Sequence, residues 1–313
     1  MKTAFLGTPE FALPSLEMLI AQGHEICVFT QPDRPKDRGH GLAMPPVKEL
    51  ALKYGLPVYQ FRRIREPEGV EALRAFGPDL MVTAAFGQIL SEENLSIPAY
   101  GCINVHGSLL PKYRGAAPIQ WSVINGEQRT GVTTMMTDIG LDTGDILLSR
   151  ETEIGEDETA GELYSRLAVM GAELLKETID RLVDGTLVRT PQDPEEATYC
   201  GMIKKPMAKI DFSKTAKQIH DLVRGMDPSP VAFTLLDGQP IKVYKTVTEC
   251  PYEVDCSGAQ EGQCVIADAK RGLFVRCGDG LIGITELQFA GSRRMDSKAA
   301  LNSKKLLGRV LGQ

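Results

Sequence analysis

The chain has 313 residues, of which 42% are hydrophobic and 24% charged, with a net charge of −6. This length accommodates two domains of ordinary size, and the composition is that of a soluble globular protein. No apolar run approaches the roughly 20 residues of a membrane span, and the N-terminus lacks the apolar core of a signal peptide, so we expect a cytoplasmic protein without a membrane partner.

The seven cysteines include no C-x-x-C pair, and their odd number excludes a complete set of intrachain disulfides. The last four lie between Cys250 and Cys277, but their spacing is irregular and no histidine joins them. Reduced structural thiols are therefore favoured over zinc ligands, and we expect no metal.

The first half of the chain alternates short apolar runs with stretches of helical spacing. Predicted strands occupy residues 2–7, 25–30, 57–60, 79–86 and 102–106, and predicted helices between and after them occupy residues 11–22, 47–54, 68–76 and 118–125. This alternation predicts βαβ units, and hence an α/β fold with a doubly wound, mostly parallel, Rossmann-like sheet.

Two connections in this half are informative. The turn after the first strand, which begins Gly7-Thr8-Pro9, is not G-x-G-x-x-G, and this disfavours a dinucleotide cofactor. Residues 31–46 form a long connection without periodicity that contains Arg34, Lys36 and Arg38. Loops of this length are often functional, although a solvated excursion is an equally good interpretation.

Polar residues cluster around the predicted strand 102–106. Asn104 and His106 are two residues apart, so they project from the same face at the carboxyl end of the strand, where open α/β sheets bind ligands. Asp142 follows in a glycine-rich turn. Asn104 could donate to an oxyanion, His106 could act as acid, base or cation, and Asp142 could orient the imidazole or relay a proton. Each residue alone is more often structural.

Ser108 suggests a serine nucleophile, but the G-x-S-x-G context is absent. Without a side-chain nucleophile, the substrate must supply it, and the reaction is then a direct group transfer. The aspartates at 138, 142 and 145 do not match a calcium-binding loop.

The second half begins with predicted strands at 129–137 and 145–153 and an amphipathic helix at 158–183. A helix at 215–224 and short strands at 231–236, 240–247, 262–267, 272–277 and 280–287 predict an OB-like β-barrel. We therefore expect a catalytic domain at 1–189, a linker at 190–207 and a C-terminal barrel at 208–313. Residues 205–313 carry a net charge of +4, which hints at a polyanionic partner.

Two motifs resemble the signature of the folate-dependent formyltransferases. The first is Asn104-Val105-His106 followed by the segment SLLPKYRGAAP, and the second is Leu141-Asp142-Thr143-Gly144. The resemblance implies that Asn104, His106 and Asp142 are catalytic. It also implies that 10-formyltetrahydrofolate is the co-substrate, bound near a segment that comprises Ser108, Leu109, Leu110 and Pro111.

The segment GTPEFA at residues 7–12, and QPDRP at residues 31–35 followed by Arg38-Gly39, resemble the members of this family that act on methionyl-tRNA. The resemblance implies transfer of the formyl group to the α-amino group of methionine on initiator methionyl-tRNA, for translation initiation. It implies that Arg34, Lys36, Arg38 and the basic C-terminal domain hold the tRNA, and we expect a monomer. We hypothesise direct transfer through a tetrahedral intermediate.

Several alternatives remain open on the sequence. Glycinamide ribonucleotide formyltransferases and formyltetrahydrofolate hydrolases are disfavoured by the second domain and the basic loop, and sugar-amine formyltransferases by the QPDRP motif. A catalytically silent tRNA-binding protein is disfavoured by the intact set of Asn104, His106 and Asp142. A dinucleotide-dependent oxidoreductase is disfavoured by the missing glycine fingerprint.

Overall fold

The structure is a computed structural model that describes residues 1–35 and 42–313. The described chain divides into two compact units. Unit 1 comprises Met1–Pro118, Arg129–Glu153 and Tyr164–Cys200, and unit 2 comprises Ile119–Gln128, Ile154–Leu163 and Gly201–Gln313. The division at 1–189, 190–207 and 208–313 stays a prediction.

Helices and strands alternate through the first half, as the sequence predicts. The described strands are β1 (Lys2–Gly7), β2 (Glu25–Thr30), β3 (Arg34–Pro35), β4 (Leu42–Ala43), β5 (Val58–Gln60), β6 (Leu80–Ala84), β7 (Cys102–His106), β8 (Arg114–Gly115), β9 (Arg129–Met136), β10 (Ile146–Glu153), β11 (Tyr199–Cys200), β12 (Phe233–Leu236), β13 (Gln239–Val247), β14 (Cys264–Asp268), β15 (Gly272–Cys277), β16 (Gly280–Phe289) and β17 (Met295–Asp296). The described α-helices are α1 (Leu13–Ala21), α2 (Pro46–Lys53), α3 (Pro67–Phe76), α4 (Glu92–Leu95), α5 (Pro118–Ile124), α6 (Ala160–Val183), α7 (Ala216–Gly225) and α8 (Ser297–Leu301).

Unit 1 is built on a seven-stranded sheet with the order β10-β9-β7-β6-β1-β2-β5. The strands from β5 to β7 are parallel, whereas β9 is antiparallel to both β7 and β10. The connection from β9 to β10 spans only residues 137–145, which is too short for the helical crossover that a parallel pair needs. The predicted α/β class with a mostly parallel sheet is confirmed.

The chain leaves β1 towards β2 on one side of the sheet and returns to β6 on its other side. Such a reversal of strand order opens a crevice at the carboxyl ends of the strands. Strand β6 ends at Ala84, earlier than the predicted residue 86, because Ala85 adopts a positive φ of 46° that extended backbone does not allow. The chain therefore turns away at the crevice, directly beside the end of β7.

Unit 2 contains an antiparallel sheet with the order β12-β13-β16-β15-β14, and β17 pairs with β16. Helix α7 packs against β13 and begins with a reciprocal cap, in which Thr215 Oγ1 accepts from Gln218 N at 3.1 Å and Thr215 N donates to Gln218 Oε1 at 3.1 Å. Its apolar face lies on the sheet through Ile219 and Val223, within the core of the unit. The predicted barrel-like C-terminal fold is confirmed.

All seven cysteines are free thiols. In the part of the chain that the structure describes, no cluster of three or more His, Cys, Asp or Glu side chains is arranged to hold a metal ion. The helices in the same part include none with the length and apolar character that a bilayer crossing requires.

Candidate active site

The amide of Asn104 is oriented by the neighbouring strand. Asn104 on β7 is half-buried and lies opposite Thr83 on β6. The Thr83 hydroxyl donates a hydrogen bond of 2.9 Å to Asn104 Oδ1. Since the carbonyl end of the amide is engaged by Thr83, the NH₂ end is the part of Asn104 that is presented as a donor.

The imidazole of His106 is fixed by a main-chain carbonyl. His106 is 6% exposed, and its Nε2 lies 2.9 Å from the carbonyl oxygen of Tyr113. A carbonyl can only accept, so Nε2 is the donor and carries a proton. In the neutral ring the lone pair is then on Nδ1, which faces Asp142 Oδ2 at 3.8 Å. Tyr113 has a positive φ of 59°, so a local turn places this carbonyl.

The carboxylate of Asp142 is held by a different main-chain group. Asp142 Oδ2 accepts a hydrogen bond of 2.8 Å from Gly115 N, and Asp142 has a positive φ of 53°. The 3.8 Å between Asp142 Oδ2 and His106 Nδ1 is longer than a hydrogen bond. The two groups therefore face each other across a gap that a donor such as an amine could bridge, and the ring orientation comes from the Tyr113 carbonyl.

The turn that carries Asp142 is tied internally. Asp138 Oδ1 accepts from Gly140 N at 3.0 Å and from Thr143 Oγ1 at 2.7 Å. A Cβ at Gly144 would lie 1.8 Å from the carbonyl oxygen of Met136, so only glycine fits this close approach. The glycine-rich sequence of the turn thus serves a tight return between β9 and β10.

Ser108 is fully buried, and its hydroxyl donates to the carbonyl oxygen of Lys112 at 2.7 Å. This bond stabilises the loop after β7 and engages the hydroxyl with a main-chain acceptor instead of a catalytic base. Leu110 is also buried, whereas Leu109 and Pro111 are half-buried and keep accessible surface. The folate-binding role of these four residues stays a prediction.

Arg34 is exposed and belongs to the short strand β3, which pairs with β4 and closes the base of the loop. Lys36 and Arg38 lie outside the described residues. The start of the loop is fixed by Asp33, whose carboxylate accepts from Lys48 Nζ at 2.7 Å and from Gln60 Nε2 at 2.7 Å. These hydrogen bonds, with that of Lys48 as the larger cause, lower the pKa of Asp33.

The structure adds residues that the sequence interpretation missed. The Tyr113 carbonyl and the Gly115 N–H group orient His106 and Asp142, although both residues lie within the recognised motif. Gln192 donates to the carbonyl oxygens of Asp142 and Gly144, although its segment was predicted to be a linker. Main-chain donors and acceptors leave no pattern in a sequence, and a lone glutamine beside proline carries no signal either.

Comparison with known proteins was made for the whole chain. Residues 1–179 match the formyl transferase family, and residues 202–305 match the C-terminal domain of formyl transferases. A methionyl-tRNA formyltransferase of Ruminiclostridium cellulolyticum is 53% identical over 318 aligned residues, and one of Acetivibrio thermocellus is 51% identical over 315, with 100% of both chains covered in each case.

Solved structures with the same fold include more distant relatives. WlaRD, a sugar 3N-formyl transferase, is 21% identical with a TM-score of 0.66, over 94% of this chain and 99% of its own. The N-formyltransferase from Helicobacter canadensis is 21% identical with a TM-score of 0.67, over 91% of this chain and 98% of its own. At this identity the likeness establishes the fold alone.

Proposed function

The chain belongs to the formyl transferase family, and from this membership we propose that it transfers the formyl group of 10-formyltetrahydrofolate to the α-amino group of methionine on initiator methionyl-tRNA. The full-length relatives that bear the name methionyl-tRNA formyltransferase support this acceptor. The observation that carries the chemistry is the convergence of the Asn104 amide, the His106 ring and the Asp142 carboxylate at the crevice end of β7.

The reaction begins when the neutral α-amino nitrogen attacks the formyl carbon. A nitrogen–carbon bond forms, and the formyl oxygen becomes an oxyanion in a tetrahedral intermediate. The NH₂ group of Asn104 donates to this oxyanion, because Thr83 holds the other end of the amide. The intermediate collapses when the bond between the carbon and N10 of the folate breaks, and N10 leaves with a proton.

The gap between His106 and Asp142 supports a role for both in handling this proton. His106 Nδ1 and Asp142 Oδ2 are both acceptors at 3.8 Å, so an amine N–H placed between them satisfies both. As the amine nitrogen becomes positively charged in the intermediate, the Asp142 carboxylate stabilises it and takes part in moving its proton to N10. Holding the two substrates in one crevice supplies a large part of the acceleration.

Three variants test this assignment in a single-turnover formylation assay with initiator methionyl-tRNA. We expect Asn104→Ala, His106→Ala and Asp142→Asn each to slow transfer by about 100-fold or more, which is the usual effect of losing a donor or a proton carrier. Gln120→Ala is a suitable control, because Gln120 donates to the carbonyl oxygen of Ser229 within unit 2. Near-normal transfer by a folded Asn104→Ala protein would refute the role of the amide.

The loop at residues 31–46 is proposed to hold the tRNA through the charges of Arg34, Lys36 and Arg38. Phosphate contacts make binding weaker as salt rises, so replacing all three residues by glutamine should lower kcat/KM for charged initiator tRNA and flatten its salt dependence. Free methionyl esters, which lack phosphates, serve as the matched acceptor. An unchanged kcat/KM and salt slope would mean that the loop is a solvated excursion.

The remaining expectations from the sequence complete the proposal. The co-substrate binds near Ser108, Leu109, Leu110 and Pro111, where Leu109 and Pro111 have accessible surface. The enzyme works as a monomer in the cytoplasm, where translation begins. Its catalytic domain spans 1–189, its linker 190–207, and its basic C-terminal domain 208–313 contributes to tRNA binding.

A further inference from the structure

Gln192 joins the predicted linker to the turn that carries Asp142. We propose that Gln192, supported by Arg114, is a positioning residue that sets the location of the Asp142 carboxylate during formyl transfer. The inference rests on the role proposed above for Asp142.

The side-chain amide of Gln192 uses its full hydrogen-bonding capacity. Its Nε2 donates to the carbonyl oxygens of Asp142 at 2.9 Å and Gly144 at 2.7 Å. Its Oε1 accepts from Arg114 Nε at 3.0 Å and from Arg114 Nη2 at 2.8 Å. A glutamine amide has two donor hydrogens and two acceptor lone pairs, and all four are engaged. Its orientation is therefore fixed from both ends.

Arg114 is the firm end of this pair. The residue is 3% exposed, and its guanidinium lies 5.9 Å from the centre of the Tyr199 ring. A buried guanidinium needs strong acceptors, and its planar fork matches the two lone pairs of the Gln192 oxygen. A cation that donates to an amide oxygen polarises the amide, which strengthens its N–H groups as donors. Arg114 thus tightens the hold of Gln192 on the two turn carbonyls.

The turn needs this support because its backbone is unfavourable. Asp142 has a φ of 53°, in the left-handed region, which costs a residue other than glycine about 1 kcal/mol. Its carboxylate is held by Gly115 N and its carbonyl by Gln192. Main chain and side chain are thus anchored separately, and together they determine the distance to His106.

The same segment also holds the other half of the catalytic pair. Thr198 Oγ1 accepts from Tyr113 N at 2.8 Å, and the carbonyl oxygen of Thr198 accepts from Arg114 N at 2.8 Å. Strand β11 then pairs in parallel with β8. Since the Tyr113 carbonyl orients His106, residues 192–200 brace both sides of the gap between His106 and Asp142. Residues 193–196 are exposed, whereas Gln192 is half-buried and directed at the turn.

Two substitutions at Gln192 separate its functions. Gln192→Glu keeps the acceptor that pairs with Arg114 and removes the donors to the turn, whereas Gln192→Ala removes both. We expect both to lower kcat by about 10- to 100-fold, the effect of a displacement near 1 Å at a reacting group, with the KM for the folate donor within about threefold of normal. Gln120→Ala, which removes a glutamine donor in unit 2, should leave kcat unchanged.

A double-mutant cycle with Asp142→Asn shows whether Gln192 acts through Asp142. In the Asp142→Asn background, the Gln192 variants should cause little further loss, within about threefold, because the group that they position is already inactive. An equal loss of kcat in both backgrounds, or unchanged kcat in the single variants, would overturn the proposal. If Asp142→Asn alone had normal activity, the proposed role of Asp142 would fail, and that result does not depend on Gln192. Should Gln192→Ala not fold, Gln192→Glu completes the same cycle.

Discussion

Gly115 occupies the closest backbone approach in the candidate site, and Gly115→Ala is the most informative single substitution. Its N–H group donates to Asp142 Oδ2 at 2.8 Å, and its φ is 119°. A Cβ at this position would lie 2.2 Å from the carbonyl oxygen of Cys200. Alanine must therefore displace either β8 or β11, and the displacement moves the donor away from the catalytic carboxylate.

The size of the effect follows from two costs. The positive φ costs an alanine about 1–2 kcal/mol, and relieving the backbone contact costs about 1–3 kcal/mol more. Their sum, about 2–5 kcal/mol, corresponds to a fall in Tm of about 5–15 °C for a unit of this size. Loss of the charge-assisted hydrogen bond to Asp142 should also lower kcat by about tenfold or more.

Gly185→Ala provides the matched control, because Gly185 also has a positive φ, 70°, but no atom within 4 Å of an added Cβ. It should lower Tm by only about 2–4 °C, the cost of φ alone, and leave kcat normal. Thermal unfolding and single-turnover formylation of the two variants separate strain from contact. If Gly115→Ala matched Gly185→Ala in Tm and kept normal kcat, the inferred link between β8, β11 and Asp142 would be wrong.

Three further predictions concern other parts of the described chain. Thr83→Val should lower kcat about fivefold, because the hydroxyl that orients the catalytic amide on β7 is worth about 1 kcal/mol, while Thr83→Ser should not; equal rates would contradict this. Arg224→Met should lower the free energy of unfolding, from urea titration, by about 3 kcal/mol, because Arg224 pairs with buried Asp221 at 2.8 Å; a loss below about 1 kcal/mol would contradict this. Burial raises the pKa of three thiols to about 12, so at pH 8 only about 10⁻⁴ of each is thiolate, and a disulfide reagent should label Cys250 and Cys256 first; fast labelling of buried thiols would contradict this.

The sequence was sufficient for the elements that depend on local pattern. Strand β7 begins and ends at the predicted residues, because a short apolar run closed by glycine is a local signal. The α/β class followed from alternating periods, and the barrel-like second fold from short runs separated by glycines. The three candidate catalytic side chains were also recognisable in the sequence, since their chemistry resides in the side chains themselves.

Local pattern was less informative where chain direction and ends depend on packing. The strands at 129–137 and 145–153 were predicted, but their antiparallel placement at the sheet edge follows from the short return between them. Residues 31–46 showed no periodicity, yet Arg34 and Pro35 pair with Leu42 and Ala43. Two-residue strands are stabilised by the surrounding structure and not by propensity.

What the sequence by itself determined is which side chains can carry out the chemistry: Asn104, His106 and Asp142. Only the tertiary structure decided how they are held, through the Thr83 hydroxyl, the Tyr113 carbonyl and the Gly115 N–H group. The physical reason is that orientation comes from hydrogen bonds between residues distant in the chain, and most of those partners are main-chain groups. Every residue has a main-chain donor or acceptor except for the missing N–H of proline, so its identity does not reveal which one is used.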